Sequence, residues 1–406
     1  MILVINSGSS SIKFALYKRG SQPEKIMNGQ ISRIGLPGVG FAYHHAGKSE
    51  KPEPGENSGK PDRGENQENQ EIHLEKIDYP SVVSWLLSWL EKQIDLSQVS
   101  AIGHRVVHGM QHTESSFITD DLLQELKRII PYDPEHLPNE IRLIEAFRKH
   151  HSTIPQFACF DTAFHRTMPR VARLLPIPRR FDRLGIHRYG FHGLSYQFLM
   201  QALEKSAGPE AANGRIILAH LGNGASLCAV HEGKGIDTSM GFTPTSGLPM
   251  SSRSGDLDPG VAWLMMKTEH LSPDQFNHLT SHESGLLGVS ETSGDMSDLL
   301  RQETTDARSA EAVDLFCYQV KKWIGSFAAA LGGLDTLVFA GGIGENAPVI
   351  RARVCSGLGF LGIELDEQSN KGNNELISLP EGRVGVRVIH TDEEWMMAKI
   401  GEGLTK

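Results

Sequence analysis

Three short turns rich in glycine, serine and asparagine, each set directly after an apolar run, hold the residue types that can take a phosphate. The first is Asn6-Ser7-Gly8-Ser9-Ser10-Ser11, between Ile2 to Ile5 and the returning Ile12-Lys13-Phe14. Small residues let backbone N–H groups turn toward one anion, and the Lys13 ammonium can reach the same place. The second, Gly222-Asn223-Gly224, lies between the apolar run Arg215 to Leu221 and a further strand through Val230. The third, Gly341-Gly342-Ile343-Gly344-Glu345-Asn346, follows Thr336 to Ala340. Its glycines permit close backbone approach to a ligand, and a helix starting near Asn346 would present its positive end there. A Ser/Gly-rich turn also forms without any ligand. Repetition of the strand, turn, strand unit about two hundred residues apart is what predicts two similar domains, each offering a phosphate loop to one shared cleft. No Gly-x4-Gly-Lys-Ser/Thr occurs, so the chain is not a P-loop protein.

Four further side chains could act on an anion held in this way. Arg105 stands toward the end of the apolar run that starts at Ala101, and Asp161 follows directly on Phe157-Ala158-Cys159-Phe160. Ligands of α/β sheets sit outside the carboxyl ends of strands, which puts Asp161 where chemistry is expected; a turn or cap residue ahead of Thr162-Ala163-Phe164-His165 is the alternative. His192, between Phe191 and Gly193, reads as a cleft residue bonding an oxyanion, or as a satisfied core histidine. His187 and His192 are five apart, the wrong spacing for two zinc ligands on one helical face. Arg253 is the only cation between Asp237 and Asp258, a long stretch of small and hydroxyl residues of the kind that forms binding loops.

The elements that must position these groups are those of a soluble α/β protein. At 406 residues the chain exceeds one ordinary core, and two domains are expected. A hydrophobic share of 39% with 22% charged residues is globular, and a net charge of −9 argues against nucleic acid or an acidic membrane surface as the main ligand. Anionic substrate must therefore be held by local arginines. Cys159, Cys228, Cys317 and Cys355 lie far apart in apolar surroundings, which reads as four buried free thiols in a reducing cytoplasm. No apolar run approaches a membrane span, and no basic leader precedes the first strand. Gly35 to Glu71 is polar and reads as a solvated loop or mobile insertion, centred on about 45–72. Pro80 opens an amphipathic helix with Leu86, Leu87 and Leu90; other helices follow Thr119 and span Asn139 to Lys149; Ala312, Phe316, Val320, Ile324 and Phe327 form a core stripe.

Taken in order, these stretches resemble the acetate kinase family, within the sugar kinase, actin and Hsp70 superfamily of paired ribonuclease-H-like domains. The matching runs include Asn6 to Lys13, Gly103-His104-Arg105-Val106-Val107-His108-Gly109, Phe160 to His165, Tyr189 to Gly193, His220 to Gly224, Asp237 to Pro244, Arg253 to Asp256, Gly341 to Asn346 and Thr391-Asp392-Glu393-Glu394. The resemblance implies an N-terminal domain of 1–162 plus 396–406 and a C-terminal nucleotide-binding and dimerisation domain of 163–395, with a cleft between them. It implies reversible, in-line phosphoryl transfer from ATP to a short carboxylate, acetate first, giving ADP and an acyl phosphate. Propionate or another short acid, or a non-catalytic nucleotide-binding member of the fold, are the alternatives.

By the same resemblance Asn6 and Glu393 serve a Mg2+ site, or Mn2+ in its place. Lys13, Ser9 and Ser11 face nucleotide phosphate, and His220, Leu221, Gly222, Asn223, Gly224, Asp295, Met296, Ser297, Gly342, Ile343, Gly344, Glu345 and Asn346 hold ATP or ADP. Arg105 and Arg253 grip the carboxylate and the phosphoryl group, His192 bonds an equatorial oxygen, and Asp161 is the family's catalytic aspartate. Val107, Glu135, Phe191 and Pro244 line the acyl site. A carboxylate nucleophile is already ionised at neutral pH, so Asp161 is expected to orient an arginine or a metal-bound water and not to remove a proton. A cytoplasmic homodimer without nucleic-acid or membrane partners completes the expectation.

Three departures from the family stand out. Thr245-Ser246-Gly247-Leu248-Pro249-Met250-Ser251-Ser252 replaces a Leu-Glu-Gly-Leu-Met-Met-Gly-Thr type of run ahead of Arg253. The Asp-x-Arg turn beside the adenosine ends in Ser297. Pro134-Glu135-His136-Leu137-Pro138 occupies the Pro-Leu-His-Asn-Pro segment, which puts Glu135 at a leucine of the acyl pocket.

Overall fold

A computed structural model of the chain describes residues 1–8, 11–35, 38–45, 67–71 and 78–406. Ser9 and Ser10 of the first turn, and residues 46–66 and 72–77 of the expected insertion, lie outside them. The chain divides into two compact units, Met1–Ala163 with Asp392–Lys406, and Phe164–Thr391. The second break falls before Asp392, so residues 392–395, assigned by resemblance to the C-terminal domain, pack with the first unit.

Unit 1 is built on an eight-stranded sheet: β1 Ile2–Ser7, β2 Ile12–Lys18, β3 Glu24–Ser32, β4 Gly40–His45, β5 Gln67–Glu71, β6 Ala101–Val106, β7 Ser116–Phe117 and β8 Gln156–Phe160. Their order is β5-β4-β3-β2-β1-β6-β8-β7. β1 is buried at every residue, as a central strand covered on both faces must be. Leu3 and Ile5 join the core under the helices Tyr79–Gln93 and Leu137–His150, while Ile2 faces the C-terminal helix Glu393–Leu404, where Gly401 leaves room for the Phe157 ring. Asp78 and Thr119 cap their helices by accepting the N–H of Ser81 and Leu122.

The polar reading of Gly35 to Glu71 is corrected at both ends. β4 and β5 pair within it, and Phe41 of β4 packs edge-on against Trp85 and Trp89 at 4.9 and 4.8 Å between centroids. Two aromatic residues in a polar run, Phe41 and Tyr43, are enough to anchor a strand when two tryptophans of a helix lie beneath them.

Unit 2 carries β9 Arg215–Leu221, β10 Ala225–His231, β11 Lys234–Thr238, β12 Thr336–Ala340 and β13 Gly385–Val388, in the order β11-β10-β9-β12-β13. Its directions repeat those of β3-β2-β1-β6-β8 in unit 1: three antiparallel strands, then two joined in parallel. The duplication inferred from the turns is thus present in the sheets. Tyr196, Leu199 and Leu203 of the helix Gly193–Asn213 close one face, and the helix Ala307–Leu331, whose Phe316, Val320, Ile324 and Phe327 are buried, packs on β9 and β10. All four cysteines are buried free thiols. Among the described residues no helix is long and apolar enough to cross a membrane.

Candidate active site

In unit 1, the ends of β1, β6 and β8 bring Asn6, Arg105 and Asp161 into one hydrogen-bonded chain. Arg105 donates from Nη2 and Nε to Asp161 Oδ2 at 2.5 and 3.1 Å, and from Nη1 to Asn6 Oδ1 at 3.1 Å. Burial alone would depress the guanidinium, but the Asp161 and Glu393 carboxylates hold its pKa above the ordinary value. Arg105 is therefore a fixed cation, aimed by an aspartate that is itself fully buried. Of the two partners expected for Asp161, an arginine or a metal-bound water, the arginine is in hydrogen-bond contact with it.

Asn6 also donates from Nδ2 to Glu393 Oε2 at 2.9 Å and Glu394 Oε1 at 2.8 Å. Burial raises the Glu394 carboxyl and Lys13 pulls it back, so two acids and an amide meet next to the Lys13 strand. The turn between β1 and β2 closes by Gly8 N–H donating to Ser11 O at 2.8 Å, with Lys13 opposite Asn6 in register.

Unit 2 brings together a second group. His192 adopts φ 58° at the head of the helix Gly193–Asn213, stacks on His220 at 4.3 Å and shares a 2.8 Å hydrogen bond between Nδ1 and Ser226 Oγ. A Cβ at Gly224 would lie 3.2 Å from His192 Nε2 and 3.8 Å from Arg253 Nη1, so His192, Gly224 and Arg253 border one space. Arg253 Nη1 donates to Pro244 O at 3.0 Å. The departing run 245–252 is tied to the residues on either side of it: Gly241 N–H donates to Ser246 Oγ, Gly247 N–H to Asp256 Oδ1, and Met250 N–H to Arg253 O.

The nucleotide-type loops adjoin this space. Ser251 N–H donates to Asn223 O at 3.1 Å, and Gly294, just before the Asp295-Met296-Ser297 turn, packs so closely on Ser251 that a Cβ would meet its carbonyl at 2.8 Å. Asp295 caps the helix Met296–Gln302 through Ser297 N–H at 2.7 Å. The third glycine turn is corrected: it is a helix, Gly341–Asn346, that starts at the end of β12 and not near Asn346. Gly341 sits at φ 76° against Leu221, where any side chain would strike the Leu221 carbonyl. Its far end is held by Arg351, fully buried, which donates from Nη1 to Gly344 O at 2.8 Å and Glu345 O at 3.0 Å. Desolvation lowers the Arg351 pKa to about 10. Glu345 turns inward, accepting the N–H groups of Gly341 and Thr391 and pairing with His390 at 2.5 Å.

Residues 1–399 match the model of the acetokinase family. The chain belongs to that family. It is 40% identical over 403 residues to the acetate kinase of Rhodopseudomonas palustris strain CGA009, covering 98% of this chain and 97% of that protein. It is 38% identical over 406 residues to the propionate kinase of Citrobacter rodentium, covering 98% and 95%. In solved structures it resembles the Porphyromonas gingivalis acetate kinase, with TM-score 0.84, 34% identity, and 100% and 99% of the two chains covered. A Francisella tularensis propionate kinase superposes with TM-score 0.86 at 34% identity over 98% of each chain.

For an acetokinase the sequence reading left out one buried acid. Glu135 sits half-exposed in the turn before the helix Leu137–His150, whereas Glu140, inside that helix, is buried and accepts the Val107 N–H through both oxygens at 3.2 Å. Its signal was available: Glu140 falls on the stripe formed by Leu137, Ile141, Ile144 and Phe147, where an apolar residue is the rule. Glu394, quoted only within the Thr391 to Glu394 run, and Ser226, in the buried part of β10, were given no role.

Proposed function

We propose that this chain is an acetate kinase that transfers the γ-phosphoryl group of ATP to acetate, reversibly and in line, with propionate as the second acid it accepts. The observation that carries this reading is the Arg105 guanidinium held by Asp161 and Asn6 at the carboxyl ends of the unit 1 strands. Transfer of a phosphoryl group needs charge neutralisation on three equatorial oxygens and little covalent help. Arg105 grips the substrate carboxylate, Arg253 and His192 Nε2 bond the moving phosphoryl oxygens, and Asp161 keeps Arg105 in its plane. The acetate oxygen attacks as an anion and no base is required. Propionate is carried as a second substrate because relatives of both names match nearly the whole chain.

The nucleotide is held by the His220 to Gly224 loop, the Asp295 turn and the N-terminal end of the Gly341–Asn346 helix, whose adjacency supports a single site. Asn6 and Glu393 would hold Mg2+, the Glu393 and Glu394 carboxylates supplying oxygens of the kind this ion takes, while Asn6 Nδ2 donates to both. When bound, the metal neutralises phosphate charge.

Leu257, Val261, Trp263 and Leu264 are exposed large apolar side chains close in sequence on unit 2, which supports a homodimer. Four buried thiols support a cytoplasmic protein. The test of activity is a hydroxylamine trap for acyl phosphate with ATP, Mg2+ and acetate, propionate or longer acids. Formation of acyl hydroxamate from acetate is expected; nucleotide binding without any hydroxamate would favour a non-catalytic role.

A further inference from the structure

We infer that Glu140 is a positioning residue for Arg105: by taking the N–H of Val107 where β6 leaves the sheet, it fixes the strand end from which the guanidinium projects. This rests on the acyl-phosphate chemistry proposed above.

The ladder between β6 and β8 ends with Val106 opposite Phe160, closed by Asp161 N–H donating to Val106 O at 3.0 Å. From there the chain turns away, through Met110 at φ 47°, and its N–H groups have no strand to pair with. Side chains replace that strand. Val107 N–H donates to Glu140, Gly109 N–H to Thr162 Oγ1 at 3.3 Å, and Met110 N–H to His108 Nδ1 at 3.2 Å. A buried N–H must find an acceptor, and among the described residues Glu140 is the one that takes the Val107 N–H.

Stability alone gives poor grounds for a glutamate there. Glu140 is 2% exposed on an otherwise apolar helix face, and no salt bridge among the described residues is made to it. Asp133, another buried acid, is near enough to repel it, and the Asp133 Oδ2 atom has no hydrogen-bond partner. The position is therefore costly, and what it secures is local: one backbone bond, two residues from Arg105 and within electrostatic reach of both Arg105 and Asp161. Desolvation raises the Glu140 pKa well above the ordinary value. A neutral carboxyl keeps its carbonyl acceptor for Val107 and adds no negative charge beside a guanidinium meant for a carboxylate substrate.

Three variants separate acceptor from charge and volume. Glu140→Gln keeps an amide oxygen and is expected to retain kcat and both KM values within threefold. Glu140→Leu keeps volume without an acceptor; it is expected to lower kcat by 10- to 100-fold and raise the KM for acetate, while the KM for ATP stays within twofold. Glu140→Asp, one methylene shorter, is expected to fall between them, and replaces Leu if that variant does not fold. Amide exchange at Val107, read by mass spectrometry or NMR, is expected to quicken in Leu or Asp and stay slow in Gln. A folded Leu or Asp variant with unchanged kcat overturns the inference, as does a Gln variant as impaired as Leu. Absence of acyl phosphate in the unmodified enzyme would be a failure of the activity reading instead, and the amide exchange would still test the bond.

Discussion

Arg105 and Asp161 stand at neighbouring strand ends with the guanidinium edge, Nε and Nη2, directed at a single carboxylate oxygen. The aspartate thus aims the arginine and leaves Nη1 for Asn6. Arg105→Ala is expected to lower kcat by about 10²–10³ with the fold intact, since it removes a preorganised charge from the reacting oxygens. Arg105→Lys will rescue poorly, because an ammonium cannot span Asp161, Asn6 and a substrate carboxylate at once. Asp161→Asn loses the ion pair and is expected to approach the alanine variant in kcat. Steady-state kinetics with melting curves checks all three; an Asp161→Asn enzyme with normal kcat would remove the aiming role.

Two glycines give a contrast of a different kind. Gly224 has an ordinary backbone, and a methyl group there meets His192 Nε2 at 3.2 Å. Gly224→Ala is expected to keep its melting temperature and lose about tenfold or more in kcat, by displacing the imidazole. Gly341 has φ 76° and its Cβ would lie 2.7 Å from Leu221 O. Gly341→Ala is expected to cost about 1–3 kcal/mol of stability and to weaken ATP binding. Calorimetry of nucleotide binding beside thermal unfolding distinguishes the two.

Arg351 spends its guanidinium on carbonyl and amide oxygens, among them Gly344 O, Glu345 O and Asn370 O. Arg351→Met is expected to destabilise by about 3 kcal/mol, roughly one for each orphaned carbonyl. The KM for ATP should rise more than that for acetate, because the glycine helix loses its far support. Urea titration and the two KM values test it.

Acid sensitivity has a worked sign. Burial holds His104 and His165 at about 4, so between pH 6.5 and 4 the unfolded chain takes up protons that the folded chain refuses. The stability these two neutral imidazoles allow is complete above 6.5 and falls as pH drops toward 4, by up to about 3 kcal/mol each. The raised Glu140 and Glu394 carboxyls work in the opposite sense, favouring the folded chain as pH falls. A His104→Asn or His165→Asn variant is therefore expected to lose less stability than the parent over that interval in urea titrations. An equal loss would mean that the imidazoles titrate alike in both states.

Much of this was legible in the chain itself. β9 and β12 start and end where their apolar runs do, and the Ser/Gly/Asn turns announced the repeated sheet, because turn chemistry and strand patterning are local properties. Phe41 in its polar surroundings was misread because its partners, Trp85 and Trp89, belong to a helix that the strand's own pattern does not mention. Glu140 escaped for the same reason: its acceptor role depends on where the sheet pairing of β6 stops, a fact of tertiary register. The Gly341–Asn346 helix was read as a turn ahead of a helix, because glycine disfavours helix interiors, and its support from Arg351 comes from outside the run.

Asn6 and Glu393 are 387 positions apart in sequence yet share one hydrogen bond. Unit 1 is made of two segments, Met1–Ala163 and Asp392–Lys406, with all of unit 2 between them. During synthesis the first 163 residues leave the ribosome before unit 2, and the helix Glu393–Leu404 that covers β1 and β6 follows unit 2. Until it does, the face of the sheet behind Asn6 stays open, and the acidic partner of that asparagine does not yet exist. A nascent chain of this sequence can therefore complete unit 2 before Asn6 meets Glu393.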